Sequence, residues 1–366
     1  MGNVPAQRDD PGILFSVVTP SLNQARYLPR NLDSVLEQSI GRVEHIVVDG
    51  GSVDGSVAIL DDYVERHPGR VCYVSEVDAG QCEALNKGIR MARGRFVGWQ
   101  NVDDYYLPDA FSTALEYLDR HPQEVGVYGE CQKIDGTGRV IGRWPTGPFD
   151  LSRLLMQDYV PNQSAFIRRD VLFELLIDES MEYAMDYDLW LRLALNHSLG
   201  YIPVVLAVNR ILPDAKSQVG MFPLLCDRVR AVQRTLAEPG IAEALPEGRR
   251  ALLRHILKAL LVALLLGRGR DARRLGLRAI GLRCQGGEWM WALFTLGAKS
   301  PWPRDVPGDA TFAFRATRML EAARLTGDQR PGKSDGMAES IGRLTRTVIW
   351  RCLHVWTHFR RPRVCS

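Results

Sequence analysis

The sequence lacks the features of several protein classes. Its seven cysteines are scattered, and no two form a CxxC pair, which argues against a disulfide framework and a zinc site. No basic start followed by an apolar stretch opens the chain, so we see no secretory signal and expect a cytoplasmic protein. The wholly apolar stretch 259–266 is too short to cross a bilayer, which needs about 20 apolar residues.

The sequence also lacks a large excess of positive or negative charge. The net charge of +3 is too small to indicate a nucleic-acid partner, although basic residues concentrate in the C-terminal third. Apolar residues make up 46% and charged residues 24%, which is typical of a soluble globular protein. A length of 366 residues predicts one large domain with a smaller appendage.

Short apolar runs alternate with helical patterns in the first part of the chain. The runs at 15–19, 43–48, 71–75 and 96–99 predict buried strands, and apolar residues at helical spacing lie between them. This βαβ alternation predicts an α/β fold with a mainly parallel sheet flanked by helices.

Polar clusters follow each predicted strand. They lie at residues 19–23, 49–54, 76–81 and 100–104. Ligands of open α/β sheets bind outside the carboxyl ends of the strands. We therefore expect the four clusters to converge on one crevice.

The composition divides the chain into four parts. Residues 1–12 form a polar tail, 13–217 the α/β domain, 218–325 an Arg- and Leu-rich helical appendage, and 326–366 a flexible linker with a basic amphipathic tail. For 251–282 we favour a helical cap packed on the first domain. The tail is expected to lie on an anionic membrane surface.

Two glycine-containing segments can bring a carboxylate close to a ligand. Asp49 is followed by Gly-Gly-Ser and by Asp54, which predicts a tight turn; a plain turn with a helix cap is the structural alternative. Asp78 precedes a glycine and a helix that carries Lys87, and there the alternative is a capping aspartate.

Two further acidic segments suit metal binding and proton transfer. Asp103 and Asp104 follow an apolar strand, where a carboxylate pair is costly unless it is solvated or bound to a cation. Mg²⁺ binds through one or two carboxylates together with phosphate oxygens. Asp186 lies near the start of a predicted helix, where capping is again the alternative.

Taken in order, these segments resemble family 2 glycosyltransferases of the GT-A fold over about residues 13–215. The matching segments are 17–23 (VVTPSLN), 47–56 (VVDGGSVDGS), 75–78 (SEVD), 86–88 (NKG), 101–104 (NVDD) and 185–192 (MDYDLWLR). Each segment alone is weak evidence for this family, but the six segments in this order are specific to it.

The resemblance implies a role for each acidic residue. Asp49 would bind the nucleotide base, Asp78 would lie beside the nucleoside, and Asp103 would bind a divalent metal, Mg²⁺ or Mn²⁺. Asp186 would be the catalytic base, with Asp188 as the alternative. The other residues expected to bind the nucleotide sugar are Thr19, Pro20, Asn23, Ser52, Asp54, Asn86 and Lys87. On the acceptor side the chain would place Asn162, Gln163, Trp190 and Arg192.

The chain departs from the family pattern at two positions. Asn101 stands first in the DxD motif, so the metal would be held by Asp103 alone or shared with Asp104. Met185 replaces the usual Glu before the catalytic Asp186.

We expect an inverting transferase that adds a single sugar, because the QxxRW motif of processive synthases is absent. The donor would be a UDP-, dTDP- or GDP-sugar, and the acceptor a glycan or lipid-linked hydroxyl in cell-surface polysaccharide or glycolipid assembly. The alternatives are a non-catalytic nucleotide-binding or scaffold protein and, less favoured, a sugar nucleotidyltransferase.

Overall fold

The computed structural model describes residues 12–213, 215–282, 284, 288 and 292. Within these residues the chain forms one mixed sheet with helices packed on it. The strands are β1 Phe15–Ser21, β2 Val43–Asp49, β3 Val71–Ser75, β4 Phe96–Trp99, β5 Tyr105–Tyr106, β6 Gly126–Ile134, β7 Val140–Arg143, β8 Ala165–Arg168 and β9 Gly200–Arg210. The helices are α1 Leu28–Leu36, α2 Ser56–Arg66, α3 Gln81–Met91, α4 Ala110–Arg120, α5 Leu151–Met156, α6 Arg169–Leu175, α7 Met185–Ala194, α8 Lys216–Val219, α9 Met221–Ala237, α10 Ile241–Ala244, α11 Gly248–Leu265 and α12 Gly269–Gly281. A 3₁₀ helix, Asn162–Ser164, precedes β8.

The sheet has a parallel half and a mixed half. Its order is β3-β2-β1-β4-β8-β6-β9-β5, and β7 pairs with β6. The first four strands are mutually parallel, whereas β8 runs antiparallel to both β4 and β6, and β5 runs antiparallel to β9. The predicted strands at 15–19, 43–48, 71–75 and 96–99 and the mainly parallel sheet are confirmed.

Alternate residues of the central strands pack on opposite faces of the sheet. In β4, Val97 joins the core beneath α3, while Phe96 joins the core beneath α4. Burial on both faces explains why these strands appear in the sequence as continuous apolar runs. Helix α3 lies so close to β1 that a Cβ atom on Gly88 would lie 2.3 Å from Val18 Cγ1.

Helices beyond residue 217 share the larger core with the sheet. Helix α9 packs on α7, and α11 packs on α5, α9 and α12. Val229 of α9 and Leu253 of α11 are buried in the same cluster as Trp190 of α7 and Trp99 of β4. The polar tail predicted at 1–12, apart from Gly12, and the linker and tail predicted at 326–366 lie outside the described residues. Among the helices that the structure describes, none is long and apolar enough to cross a membrane.

Candidate active site

Asp49 organises the turn at the carboxyl end of β2. Its Oδ2 accepts hydrogen bonds from the N–H groups of Gly51 (3.1 Å) and Ser52 (2.9 Å) and from Ser75 Oγ (2.7 Å), and its Oδ1 accepts one from Ser52 Oγ (2.5 Å). These bonds join the ends of β2 and β3. The carboxylate is fully buried, so its charge is stabilised by these donors.

The loop after β1 is tied to the same turn. Asn23 has a φ of 53°, in the left-handed region. Its N–H donates to Ser52 Oγ (2.7 Å), and its Oδ1 accepts from the N–H of Val53 (2.9 Å). The Asn23 side chain therefore holds the first two strand-end loops together.

Asp54 makes the second connection between these two loops. It accepts hydrogen bonds from Ser56 Oγ (2.6 Å) and from the N–H groups of Ala25 (2.9 Å) and Ser56 (3.1 Å). The bond from the Ser56 hydroxyl and that from Ala25 lower the pKa of Asp54. Asp54 therefore acts as an ionised acceptor that orders the loop and the start of α2.

Asp78 reaches the β2 turn from the loop after β3. A Cβ atom on Gly50 would lie 3.3 Å from both Asp78 carboxylate oxygens, so a larger residue there would push this carboxylate back by a few tenths of an ångström. Asp78 Oδ1 accepts from the N–H of Gly80 (2.9 Å). Nearby, Lys87 forms an ion pair with Glu76, which raises the pKa of Lys87.

Asn101 connects the loop after β4 to the loop after β3. Its Oδ1 accepts from Gln81 Nε2 (2.9 Å), and its Nδ2 donates to Asp104 Oδ2 (3.2 Å). The structure thus brings together the four polar clusters that follow β1, β2, β3 and β4. The strands are parallel, so their carboxyl ends lie along one edge.

Asp104 is a structural carboxylate. It is 1% exposed, and it accepts from Gln163 Nε2 (3.1 Å), Asn209 Nδ2 (3.0 Å) and the N–H of Arg210 (2.8 Å). Burial and the neighbouring charge of Asp103 raise the pKa of Asp104. Its oxygens join the β4 loop to β9 and to the 3₁₀ helix, which corrects the expectation that Asp104 shares a metal.

Asp103 is the other carboxylate of this pair and is half-buried. Among the described residues no group of three or more His, Cys, Asp or Glu side chains could hold a metal ion. A site built by one carboxylate and the phosphate oxygens of a ligand needs no such group. Asp103 therefore fits a divalent ion that arrives with a diphosphate.

Asp186 lies across from these loops, at the second position of α7. Cys82 Sγ, at the start of α3, is 3.3 Å from Met185 Sδ, which places the start of α7 beside the Asp78 loop. Asp186 Oδ1 accepts from the N–H of Tyr187 (2.8 Å). Burial raises the pKa of Asp186, and the Tyr187 N–H and the charge of Arg228 oppose part of that rise.

Asp188 faces away from the site. Its carboxylate is buried and pairs with Arg192 Nε (2.7 Å) and Arg234 Nη1 (3.5 Å). Arg192 also donates to the carbonyl oxygens of Leu175 (2.7 Å) and Leu176 (2.8 Å). These contacts correct the acceptor-side expectation for Arg192, because its guanidinium holds the end of α6 against α7.

Three other expected ligand contacts are packing contacts. Trp190 is 0% exposed and stacks on Trp99, so it lies beneath the site rather than on the acceptor side. Thr19 and Pro20 are buried within β1, and Thr19 Oγ1 lies 2.8 Å from His45 Nε2. Burial lowers the pKa of His45 to about 3, so this contact is between neutral groups.

Asn86 was expected beside the donor, but its amide is used within the protein. Nδ2 donates to the carbonyl oxygen of Ile177 (2.9 Å) and to Glu179 Oε1 (2.9 Å), and Oδ1 accepts from the N–H of Ile177 (2.8 Å). Asn162 and Gln163 are likewise almost fully buried in the 3₁₀ helix. These amides support the loops around the site.

Asp158 and Arg228 were not anticipated. Asp158 lies between α5 and the 3₁₀ helix and pairs with Arg228 Nη2 of α9 at 2.8 Å. Burial and the charge of Asp186 raise the pKa of Asp158, so this pair is next to the head of α7. The weak signal in the sequence was an acid beside the apolar pair Tyr159 and Val160.

Comparison with known proteins identifies the family of the chain. Residues 16–172 match the model of glycosyl transferase family 2. A PGL/p-HBAD biosynthesis glycosyltransferase of Mycobacterium tuberculosis is 31% identical over 199 residues, which are 53% of this chain and 75% of that protein. The chain belongs to glycosyltransferase family 2.

Two other relatives of this family 2 glycosyltransferase match over a smaller share of their own length. Escherichia coli chondroitin synthase is 29% identical over 232 residues, which are 62% of this chain and 33% of that protein. A Rickettsia prowazekii glycosyltransferase is 28% identical over 207 residues, covering 54% of this chain and 64% of the relative. The chain thus spans a third of the first relative and less than two thirds of the second.

Solved structures agree on the fold of the family 2 glycosyltransferase. Residues 1–349 of S. aureus TarS, in complex with UDP-GlcNAc, align with a TM-score of 0.55 at 16% identity, covering 88% of this chain and 95% of that one. Mannosyltransferase PcManGT from Pyrobaculum calidifontis, with GDP-Man and Mn²⁺, aligns with a TM-score of 0.50 at 18% identity, covering 89% and 91%. The predicted GT-A fold is confirmed.

The matching family and the Mycobacterium tuberculosis relative both carry the name glycosyltransferase. The family match favours a glycosyltransferase over the alternative of a sugar nucleotidyltransferase.

Proposed function

We propose that this glycosyltransferase moves a single sugar from a nucleotide diphosphate sugar to an acceptor hydroxyl with inversion at the anomeric carbon. The observation that carries the proposal is the arrangement of four carboxylates. Asp49, Asp78 and Asp103 follow three parallel strands at one edge of the sheet, and Asp186 stands at the head of the facing helix α7.

The donor nucleoside lies between the loops after β2 and β3. Asp78 lies beside the nucleoside. Asp49 is fully buried and accepts from Ser52 and Ser75, so it orders the turn under the base instead of contacting the base as expected. Asn23 ties the loop after β1 to this turn. Lys87, beside Asp78, adds positive charge near the diphosphate. Two aligned TarS structures contain UDP or UDP-GlcNAc, and the PcManGT structure contains GDP-Man. These ligands support a UDP-sugar or a GDP-sugar as the donor, and a dTDP-sugar is the third candidate.

Asp103 holds a divalent ion, Mg²⁺ or Mn²⁺, together with the donor diphosphate. A divalent ion bound there would supply charge stabilisation for the leaving diphosphate. The PcManGT structure contains both GDP-Man and Mn²⁺, which supports the proposal. Asp104 supports the loop of Asp103 through its hydrogen bonds to Gln163 and Asn209.

Asp186 accepts the proton of the acceptor hydroxyl as the oxygen attacks the anomeric carbon. Attack on the face opposite the departing diphosphate inverts the anomeric configuration. Asp188, the second candidate for the base, is buried and forms ion pairs with Arg192 and Arg234, so a substrate cannot reach it. A base must reach the proton that it removes, so the geometry favours Asp186.

The acceptor is a glycan or lipid-linked hydroxyl in cell-surface polysaccharide or glycolipid assembly. The names of two relatives, a chondroitin synthase and a PGL/p-HBAD biosynthesis glycosyltransferase, support this class. The buried 3₁₀ helix with Asn162 and Gln163 forms the floor on this side of the site.

Residues 13–217 form the catalytic domain in this proposal, 218–325 a helical region, and 326–366 a linker and a basic tail that contacts the inner face of the membrane. The tail interleaves arginines with Trp350, Trp356 and Phe359, a pattern suited to an anionic surface. Co-sedimentation with phosphatidylglycerol vesicles tests this contact. The full chain should sediment and a chain ending at residue 340 should not; equal sedimentation would exclude the tail as the anchor.

The first test of the proposed function is hydrolysis of a panel of UDP-, dTDP- and GDP-sugars with and without Mg²⁺ or Mn²⁺. Water replaces the unknown acceptor. Wild type is compared with Asp103→Ala and Asp186→Asn, and Asp62→Ala, an exposed helix residue paired with Arg66, is the control. We expect metal-dependent release of one nucleoside diphosphate, reduced about 100-fold or more in Asp103→Ala.

The outcomes separate the parts of the proposal. Undiminished hydrolysis in Asp103→Ala would remove the metal assignment, and undiminished hydrolysis in Asp186→Asn would remove the base assignment. Retention of configuration in the product, read by NMR of the released sugar, would exclude the inverting mechanism.

A further inference from the structure

Helix α9 lies outside the segment that matches the family model, yet it contacts the loop that leads into α7 at several points. Asp227 Oδ2 accepts from the N–H of Tyr183 (2.9 Å), and Arg230 Nη2 donates to the carbonyl oxygen of Ser180 (2.7 Å). Arg234 pairs with Asp178 at 2.5 Å. The position of Asp186 therefore depends on α9.

Arg228 connects α9 to the first turn of α7. Its guanidinium carbon lies 5.5 Å from the ring centroid of Tyr187, the residue that follows Asp186 and donates to its Oδ1. On its other side, Arg228 Nη2 is 2.8 Å from Asp158 Oδ2. Side chains of three separate segments thus meet at this guanidinium.

The ion pair of Arg228 and Asp158 is largely buried. The Asp158 side chain is 7% exposed and that of Arg228 is 24% exposed. Coulombic interactions are screened less at such a site than at the surface. The charge of Arg228 lowers the pKa of both Asp158 and Asp186, against the burial that raises them.

We propose that Arg228 is a positioning residue for the base: anchored by Asp158, its guanidinium supplies the positive charge beside the half-buried carboxyl of Asp186. The inference rests on the proposed role of Asp186. It extends that role to the helical region, since the glycosyltransferase site would be incomplete without a residue of α9.

Other titratable groups surround this pair. They are Lys133 on β6, Tyr187 on α7, and Arg254, His255 and Lys258 on α11. Burial lowers the pKa of His255 well below its usual range, so it adds no charge near neutral pH. Arg228 is the cation that lowers the pKa of Asp186.

The test is the pH dependence of kcat/KM for donor hydrolysis, using UDP-GlcNAc or GDP-mannose, whichever the wild type hydrolyses. The base works in its ionised form, so activity falls on the acid side of its pKa. Loss of an adjacent cation raises a carboxyl pKa. Arg228→Gln should therefore move the acid limb up by about 1–3 pH units, with a recovery of activity at high pH.

Two variants separate the charge from the fold. Arg228→Lys keeps the positive charge and should move the limb less than half as far as Arg228→Gln. Arg249→Gln removes an exposed cation from α11, a helix that packs on α9, and should leave the acid limb where it is. If Arg228→Gln does not fold, Arg228→Met, which keeps the apolar contact with Tyr187, takes its place.

A double-mutant cycle tests the anchor. In an Asp158→Asn background, Arg228→Gln should move the limb less than it does in the wild type, because the guanidinium is no longer held in place. Equal shifts in both backgrounds would remove Asp158 from the proposal.

The result that would overturn the inference is a folded Arg228→Gln enzyme with the acid limb of the wild type. Failure of the inference about Arg228 can be distinguished from failure of the proposed function. If Asp186→Asn keeps full activity, the base assignment is wrong; if Asp186→Asn is inactive and Arg228→Gln is unshifted, only the role of Arg228 is wrong.

Discussion

The indole rings of Trp99 and Trp190 stack with their centroids 5.7 Å apart and their planes 2° from parallel. Trp99 ends β4, directly before the loop of Asp103, and Trp190 lies one turn after Asp186 in α7. Both rings are buried in the larger core. This contact therefore joins the proposed metal loop to the helix of the proposed base, and it fixes the distance between them.

Substitution of Trp190 should affect stability and turnover together. Trp190→Ala is expected to lower the free energy of unfolding by about 3–5 kcal/mol, because a large cavity opens beneath α7. Trp190→Phe should lower the free energy of unfolding by less. The buried indole N–H has no hydrogen-bond partner in the described part of the chain, so phenylalanine loses no hydrogen bond. Urea unfolding and kcat for donor hydrolysis measure both effects. A stable Trp190→Ala enzyme with altered KM for the acceptor alone would restore Trp190 to the acceptor side.

Asp103 and Asp104 should respond differently to the same change. Asp104→Asn is expected to lower the free energy of unfolding by about 3 kcal/mol, because an amide cannot accept from all the N–H donors that meet this carboxylate. Asp103→Asn should leave Tm close to that of the wild type and weaken the response of activity to Mn²⁺. Thermal unfolding and metal titration of each variant decide the assignment. Strong destabilisation by Asp103→Asn with a normal metal response would contradict it.

Asp186 and Asp188 form a second matched pair. Asp188→Asn breaks a buried ion pair with Arg192 and should cost about 3 kcal/mol of stability. Asp186→Asn should change stability by less than about 1 kcal/mol. Its kcat should fall roughly 10²- to 10⁴-fold, with UDP or GDP binding unchanged. If Asp188→Asn is stable and inactive while Asp186→Asn is active, the two roles are reversed.

Lys258 gives stability a defined pH dependence. Burial and the charges of Arg254 and Arg228 lower the pKa of Lys258 from 10.5 to about 6. The unfolded chain then binds more protons between these values, so this group makes the protein more stable as pH rises through the window. Lys258→Met should raise Tm at pH 7, with a gain that shrinks toward pH 10. Arg249→Met, exposed on the same helix, is the control, and an equal gain there would show that the effect is not local.

The strand-end loops could be found without a structure because parallel strands place their carboxyl ends along one edge. An apolar run followed by Asp49 or by Asp103 is therefore enough to predict a shared crevice. Helix α7 was predicted in the same way, from its apolar spacing after Asp186. The second half of the sheet was not predicted, because its antiparallel strands lack the regular βαβ alternation.

The direction in which each polar side chain points could not be predicted. Asn86 and Lys87 are neighbours on α3, yet Asn86 is buried against the Ile177 loop and Lys87 pairs with Glu76 near the crevice. Asp186 and Asp188 differ in the same way on α7. A motif gives the spacing along the helix, whereas the packing of neighbouring elements decides which face meets the ligand.

By itself the sequence determined the α/β class, the order of the parallel strands along the chain and the edge at which the four polar clusters meet, because strand burial and turn residues are local properties. Tertiary structure alone decided that Asp104 and Asp188 are internal, that Trp190 joins α7 to β4, and that Arg228 reaches the site from α9. Those contacts join residues far apart in the chain, and their existence depends on how helices and strands pack in three dimensions.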